Sequence, residues 1–232
     1  MGDWIGSPKT IGFFLWPGFT VLDAFGPMEM FGKVAFASAD FKPPPAASIK
    51  LVIIGKEKLV VAQEGTKIQV DHTFDDCPEL DALLVPGGSP DDVTTQANDP
   101  AVRNFLAGQY QKLSPDPKKF FMTVCTGAFI AAKSGVLNGH TCTTNKMAFD
   151  WVKAHTAGLP IKWKCVARWV ADGKVWTSSG ISAGTDMSLA FIAARYGDEL
   201  AEAVRHFGEW NGEFKDPSQD PFAQGNCTCD DE

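Results

Sequence analysis

The stretch TVCTGA at residues 123–128 predicts a β-strand that turns sharply into a helix, with Cys125 at the turn. The apolar run FFM precedes it, and a pattern of small and apolar residues follows from 129 to 135. A thiol at such a turn projects from the carboxyl edge of a sheet and lies at a helix N-terminus. Both positions favour the reactive thiolate. Gly127 supplies only half of the nucleophile-elbow pattern, because the second position before the cysteine holds threonine. The spacing therefore leaves two interpretations open, a nucleophile or a buried inert thiol.

Length, composition and charge bound the class of protein. The chain has 232 residues, of which 44% are hydrophobic, and this suits one large α/β domain. Its formal net charge of −7 argues against a nucleic-acid partner and against an anionic membrane. The first residues lack the basic and apolar regions of a secretory signal, and no apolar stretch approaches the ~18–20 residues of a membrane-spanning helix. We therefore expect a cytoplasmic protein with no nucleic acid and no membrane as partners.

The cysteines do not follow a recognisable pairing pattern. Their scattered spacing predicts neither a disulfide framework nor a zinc site. The last two lie in a polar, acidic tail, for which disorder is the expectation. We find no metal cluster, phosphate-binding loop or nucleotide motif, so the sequence predicts no metal and no cofactor. The six positions are Cys77, Cys125, Cys142, Cys165, Cys227 and Cys229.

Apolar runs alternate with helical patterns along most of the chain. Strands are expected at 11–16, 48–55, 58–61, 67–72, 81–85, 120–124, 141–144, 166–170 and 174–177, and helices at 20–36, 99–113, 129–135, 146–155, 185–196 and 199–210. This alternation predicts an α/β fold in which a mostly parallel sheet carries helices on both faces. We expect one domain over 10–212, with terminal extensions at 1–9 and 213–232.

The carboxyl ends of the predicted strands locate a candidate site. In open α/β sheets, ligands bind at these ends, where the strand order reverses. Asp23 follows the first strand, the turn Pro86-Gly87-Gly88 ends a later one, and Cys125 ends the strand after that. The sequence therefore predicts that these three segments meet.

Four segments in this order resemble the ThiJ/PfpI superfamily over roughly residues 10–210. They are VLDAFGPME (21–29), LLVPGG (83–88), VCTGA (124–128) and GISAGTD (180–186). The superfamily has the fold of the class I glutamine amidotransferases, which implies a flavodoxin-like three-layer sandwich. Protease-like and glyoxalase-like members carry histidine after the cysteine, whereas this chain has Thr126. That residue, together with the Leu-Asp-x-x-Gly-Pro motif, looks like the isocyanide hydratase branch.

The resemblance implies a catalytic set for adding water to R–N≡C, which yields an N-substituted formamide. Cys125 would attack the terminal carbon, and Asp23 would exchange protons as general acid and base. The Thr126 side chain would hold Asp23 or a water. Backbone N–H groups of Gly88 and Thr126 would stabilise developing charge, and glycine at Gly87 and Gly88 allows close approach. Plain helix capping is the alternative for both Asp23 and Thr126.

The substrate pocket is less well indicated. Trp16 and Phe19 flank the turn before Asp23, and Asn145 follows a predicted strand end, so these side chains could line a pocket for an apolar small molecule. Bacterial hydratases often carry an aromatic residue or histidine in the stretch where Asn145 stands. The chain's histidines lie outside the motifs, which disfavours a Cys–His pair and amide hydrolysis.

Other functions remain open at this point. The same motifs occur in the ligand-sensing domain of some AraC-type regulators, which also carry a DNA-binding domain of ~100 residues that we do not expect here. A non-enzymatic redox or ligand sensor based on Cys125 is one alternative, and a glyoxalase-like activity on 2-oxoaldehydes is another. Members of the superfamily commonly form homodimers, so a homodimer is expected.

Overall fold

The computed structural model describes residues 8–37, 49–212, 214–218 and 220–223. The strands are β1 (Thr10–Leu15), β2 (Lys50–Gly55), β3 (Leu59–Val61), β4 (Lys67–Gln69), β5 (Ala82–Val85), β6 (Phe120–Val124), β7 (Thr141–Cys142), β8 (Lys162–Trp163), β9 (Trp169–Asp172) and β10 (Val175–Ser178). The helices are α1 (Val21–Ala37), α2 (Pro90–Asn98), α3 (Pro100–Leu113), α4 (Gly127–Lys133), α5 (Phe149–His155), α6 (Ser182–Tyr196) and α7 (Asp198–Phe207).

The central sheet has six strands in the order β2-β1-β5-β6-β10-β9. All neighbours pair in parallel except β9, which forms an antiparallel hairpin with β10 at one edge. Two small sheets, β3-β4 and β7-β8, lie outside it. The chain moves from β1 to one side for β2 and then to the other side from β5 onward, so the order reverses between β1 and β5.

Helices cover both faces of this sheet, which confirms the predicted α/β sandwich. Every residue of β5, β6 and β10 is buried, as expected for strands that are covered on both sides. Helices α1, α6 and α7 pack against one another, and α2, α3 and α4 form a second group. Connections in this layout bring the starts of α1 and α4 to the carboxyl edge of the sheet.

Some element boundaries differ from those predicted. The α2 helix was not expected, because only Val93 and Ala97 of its nine residues are buried and the apolar signal is weak. The Ser89 side chain, which accepts from the Asp92 N–H, begins this helix instead. The helix expected from residue 146 starts at Phe149.

The cysteine prediction needs one correction. Cys165 is disulfide-bonded, although the spacing had predicted no disulfide framework. Cys77, Cys125 and Cys142 are free. The tail around Cys227 and Cys229 lies outside the described residues, so the expectation of disorder there is untested.

Two further features concern the described ranges. Their helices are either too short or too polar to cross a lipid bilayer. These same ranges hold no group of three or more His, Cys, Asp and Glu side chains that could share a metal ion.

Candidate active site

The three predicted segments meet at the carboxyl edge of the sheet, beside the point where the strand order reverses. The Gly87 N–H after β5 donates to Asp23 Oδ2 at 3.0 Å, which joins the start of α1 to the turn. The Gly88 N–H donates to Thr126 Oγ1 at 2.9 Å, which joins the same turn to the start of α4. The predicted convergence is therefore what the fold produces.

Cys125 occupies a strained turn between β6 and α4. Its φ of 57° lies in the left-handed region, which a residue with a side chain adopts only when its surroundings enforce it. The enforcing contacts are backbone ones, since the Cys125 N–H donates to the carbonyls of Ser178 and Ser179 at 3.2 and 3.0 Å. A Cβ at Gly127 would lie 2.3 Å from the Val85 carbonyl oxygen, so glycine is required for the close approach. The turn thus has the geometry of a nucleophile elbow despite its half-matched sequence.

Asp23 is fully buried beside the thiol, and it does not cap a helix. It is the third residue of α1, and its Oδ2 binds Gly87 instead of the α1 backbone, so the capping alternative is wrong. Burial raises the pKa of Asp23 from 3.8 to about 7, against smaller lowering effects of the Gly87 N–H, the Cys125 thiol and the Ile181 N–H. Its Oδ1 makes no hydrogen bond of good geometry with the described residues. A carboxyl group with this pKa can exchange its proton near neutral pH.

At Cys125, burial opposes the thiolate that the helix N-terminus favours. Burial raises the pKa of Cys125 well above its usual 9.0, and the charge of Asp23 raises it further. The Thr126 backbone and hydroxyl and the Asn145 side chain lower it, but by less. Helix α4 is only seven residues long, and its N-terminus does not overcome the burial of a side chain that is 7% exposed. The resting site therefore holds a thiol beside a carboxyl group that exchanges its proton near pH 7.

Thr126 binds the glycine turn rather than Asp23 or the N-terminus of α4. Its hydroxyl accepts from the Gly88 N–H at 2.9 Å and donates to the Gly88 carbonyl at 2.7 Å, and it makes no capping bond to α4. The Gly88 N–H is therefore already occupied, which removes it as a donor to developing charge in this geometry. The Gly87 N–H is likewise taken by Asp23. The Thr126 N–H remains next to the sulfur.

Asn145, predicted as a pocket residue, contacts the thiol directly. Its Oδ1 accepts from the Ala148 N–H at 3.1 Å, so its amide group is turned toward the sulfur. A Cβ at Gly180 would lie 2.5 Å from Asn145 Nδ2 and 4.0 Å from Cys125 Sγ, which places both atoms against the same glycine. An N–H donor in this position favours the thiolate over the thiol.

Trp16 and Phe19 do not line an accessible pocket, which corrects their predicted role. Both are buried, with exposed fractions of 1% and 0%. Trp16 Nε1 donates to the Pro86 carbonyl at 3.2 Å, and Phe19 pairs with Gly88 in an isolated β-bridge. Both residues pack against the glycine turn and stabilise it.

Two contributions to the site were missed from the sequence. The Thr144 hydroxyl donates to the Cys125 carbonyl at 2.8 Å and fixes the elbow from a separate segment. Ile181, whose φ is 34°, directs its N–H to Asp23 and is 44% exposed. The GISAGTD motif was a signal for this second contribution, because it follows β10 at the same edge of the sheet.

Comparisons with known proteins match this chain to one protein family. The sequence model of the DJ-1/PfpI family matches residues 9–194, which confirms the resemblance drawn from the motifs. An isonitrile hydratase from Pseudomonas putida is 28% identical over 196 residues, which cover 84% of this chain and 75% of that protein.

Two other proteins are also similar to this chain, one of them a transcriptional regulator. The crystal structure of a ThiJ/PfpI family protein from Pseudomonas syringae has a TM-score of 0.74 and 28% identity, and the match covers 91% of this chain and 78% of that one. The transcriptional regulator GbdR from Pseudomonas aeruginosa, of the helix-turn-helix type, is 25% identical over 201 residues. That match covers 85% of this chain but only half of the regulator.

Proposed function

This chain belongs to the DJ-1/PfpI family, and from that premise we propose that it is a cysteine-dependent hydratase that converts an isocyanide into an N-substituted formamide. The observation that carries the proposal is the pair formed by Cys125 and Asp23. A buried carboxyl group with a pKa of about 7, interacting with a thiol on a strained elbow, can both give and take a proton at neutral pH. The similarity to an isonitrile hydratase supports the choice of substrate class.

The first proposed step is addition of the thiol to the isocyanide. The Cys125 sulfur forms a bond to the terminal carbon, and the thiol proton passes through Asp23 to that same carbon. The product is a thioimidate, R–N=CH–S, covalently held at Cys125. Asp23 ends this step in the protonation state in which it began, because it relays one proton.

Water completes the reaction in two further steps. A water oxygen adds to the thioimidate carbon while one of its protons passes through Asp23 to the nitrogen. The carbon–sulfur bond then breaks, the remaining hydroxyl proton returns to the sulfur, and R–NH–CHO leaves. The sum is R–N≡C plus H₂O giving R–NH–CHO, with no change in oxidation state and no cofactor in any step.

Exposed apolar side chains that lie close in sequence to the site residues support an apolar R group. Leu22 adjoins Asp23 and is 58% exposed, and Met147 lies two residues after Asn145 and is 85% exposed. The Ile181 side chain is half-exposed, and the backbone N–H of the same residue interacts with Asp23. Large apolar side chains that stay in contact with water are candidates for binding an apolar ligand.

The alternative of a ligand sensor rests on the similarity to the regulator GbdR. A redox sensor is disfavoured by the site itself, because oxidisable sensor cysteines are exposed and have a low pKa. Cys125 is buried and burial raises its pKa. The homodimer expected from the resemblance stays a prediction.

Turnover of a simple aromatic isocyanide, with the formamide measured by mass spectrometry, tests the proposal. We expect product from the wild type, none from Cys125→Ala, and at least ~100-fold less from Asp23→Asn, as for loss of a general acid–base group. Cys77→Ala, which removes another free thiol, is the matched control and should behave as the wild type. Absence of formamide with the wild-type protein, or undiminished turnover by Cys125→Ala, would refute the proposed reaction.

A further inference from the structure

A buried lysine lies behind the catalytic elbow and is not used by the proposed reaction. The Lys146 side chain is 2% exposed, and its ammonium group donates to the Ala167 carbonyl at 2.6 Å and to Thr143 Oγ1 at 2.7 Å. A longer contact of 3.4 Å reaches the Thr144 carbonyl. The ammonium thus joins segment 143–146 to the chain before β9.

Segment 143–146 is the part of the chain that reaches the thiol from this side. Thr144 binds the Cys125 carbonyl, and Asn145 directs its amide group to the Cys125 sulfur. Only two strand residues, Thr141 and Cys142, precede the segment, and they pair with the two-residue β8. Strand pairing therefore contributes little to its position. The Thr143 N–H anchors one end of the segment to Thr177 Oγ1 at 2.8 Å, and the contacts of the Lys146 side chain anchor the other end.

Burial of this charge is compensated only in part. Burial lowers the pKa of Lys146 from 10.5 to about 8, Arg168 lowers it slightly, and Asp220 raises it. No carboxylate among the described residues lies within ion-pairing distance of Lys146 Nζ, and Asp220 Oδ2 is 3.9 Å from Arg168 Nη1. Asp220 is itself buried, and it lies beyond residue 194, where the family match ends. A site that keeps a poorly compensated charge in its interior gives up stability, which points to a role in holding the segment.

We propose that Lys146 is a positioning residue for the Cys125 site, which it serves by holding Asn145 against the sulfur. Without the ammonium group, the Ala167 carbonyl keeps only the longer contact of 3.3 Å from the Thr143 hydroxyl, and the Lys146 end of segment 143–146 loses its attachment to the chain before β9. The Asn145 amide then no longer stays aligned with the thiol, so the thiolate loses a hydrogen-bond donor. The proposal rests on the proposed function only for its effect on turnover.

Alkylation of Cys125 by iodoacetamide tests the proposal without any substrate. The rate is followed on the Cys125 peptide by mass spectrometry across alkaline pH. Loss of one hydrogen bond to a charged group should slow alkylation on the order of tenfold at a fixed pH below the thiol pKa. We expect this effect in Asn145→Ala and in Lys146→Met, and no additional slowing in the double variant, since both changes remove the same donor.

Lys174→Met is the matched control for the loss of a lysine. The Lys174 ammonium also binds backbone carbonyls, those of Leu113 and Ser114 at the end of α3, but it does not contact segment 143–146. This variant should lose stability and keep the wild-type alkylation rate. If Lys146→Met does not fold, Lys146→Gln is measured with the same expectations.

Two results would overturn the proposal. One is a Lys146 variant that unfolds more easily but alkylates within about twofold of the wild type, which would show a purely structural lysine. The other is multiplicative slowing in the double variant, which would show that Lys146 and Asn145 act independently. Because neither result depends on formamide production, a failure of the hydratase proposal remains distinguishable from a failure of this one.

Discussion

Replacing Asp23 by asparagine should make the folded protein more stable above neutral pH. Burial raises the pKa of Asp23 from 3.8 to about 7. Between these values the unfolded chain has lost the carboxyl proton while the folded chain keeps it, so the unfolded state binds fewer protons and the free energy of unfolding falls as pH rises. The fall is complete a little above pH 7 and amounts to about 4 kcal/mol, at about 1.4 kcal/mol for each pH unit.

The asparagine amide does not ionise and therefore escapes this loss. Its carbonyl oxygen can still accept from the Gly87 N–H, as Asp23 Oδ2 does at 3.0 Å. We therefore expect Asp23→Asn to match the wild type near pH 4 and to exceed it by up to about 4 kcal/mol near pH 8. The variant should at the same time lose the proposed turnover, which is the stability cost of a functional carboxyl group.

Urea unfolding followed by circular dichroism, at several pH values between about 4 and 8, measures this difference. Asp91→Asn is the matched control, because Asp91 lies in the first turn of α2 and is exposed. The control should show no comparable gain at high pH. A difference between Asp23→Asn and the wild type that is the same at every pH, or a less stable variant near pH 8, would refute the argument from burial.

Two predictions concern the glycine turn. Gly87→Ala should destabilise the fold by about 1–3 kcal/mol, because its Cβ would lie 2.6 Å from Thr126 N and 2.8 Å from Cys125 Cβ; thermal unfolding measures the loss. Gly108→Ala, which meets no atom within 4 Å in helix α3, is its control and should stabilise by about 0.5–1 kcal/mol. Thr126→Val should cost about 1–3 kcal/mol in urea unfolding, because it leaves the Gly88 N–H without its acceptor. Recovery of stability in Thr126→Ser is expected, and a valine variant as stable as the wild type would contradict this account.

The sequence was informative where short-range patterns of residues determine the structure. Alternating apolar runs gave the α/β class, and the glycines and prolines at strand ends located the three segments that meet. Helix α2 was missed because its face toward the core is narrow, and Cys165 was misjudged because a disulfide depends on a distance in space rather than on spacing along the chain.

The site was only partly predictable for a related reason. Cys125 and Asp23 were both found, since motifs mark them, but the sequence left the protonation state of the thiol open. A helix N-terminus is visible in a sequence, whereas burial, which dominates the pKa of this thiol, is a sum over atoms from many elements. The contacts of Asn145 and Lys146 were invisible for the same reason.

The sequence by itself therefore determined which chemical groups this protein brings to the edge of its sheet. It determined the alternation of strands and helices, the glycine turn, and the presence of one thiol and one carboxyl group there. Only the tertiary structure decided their protonation and their partners, because desolvation and hydrogen bonding act through space. Thr126 binding the Gly88 backbone, and Asn145 turned toward the sulfur, follow from packing between distant segments, which no local pattern encodes.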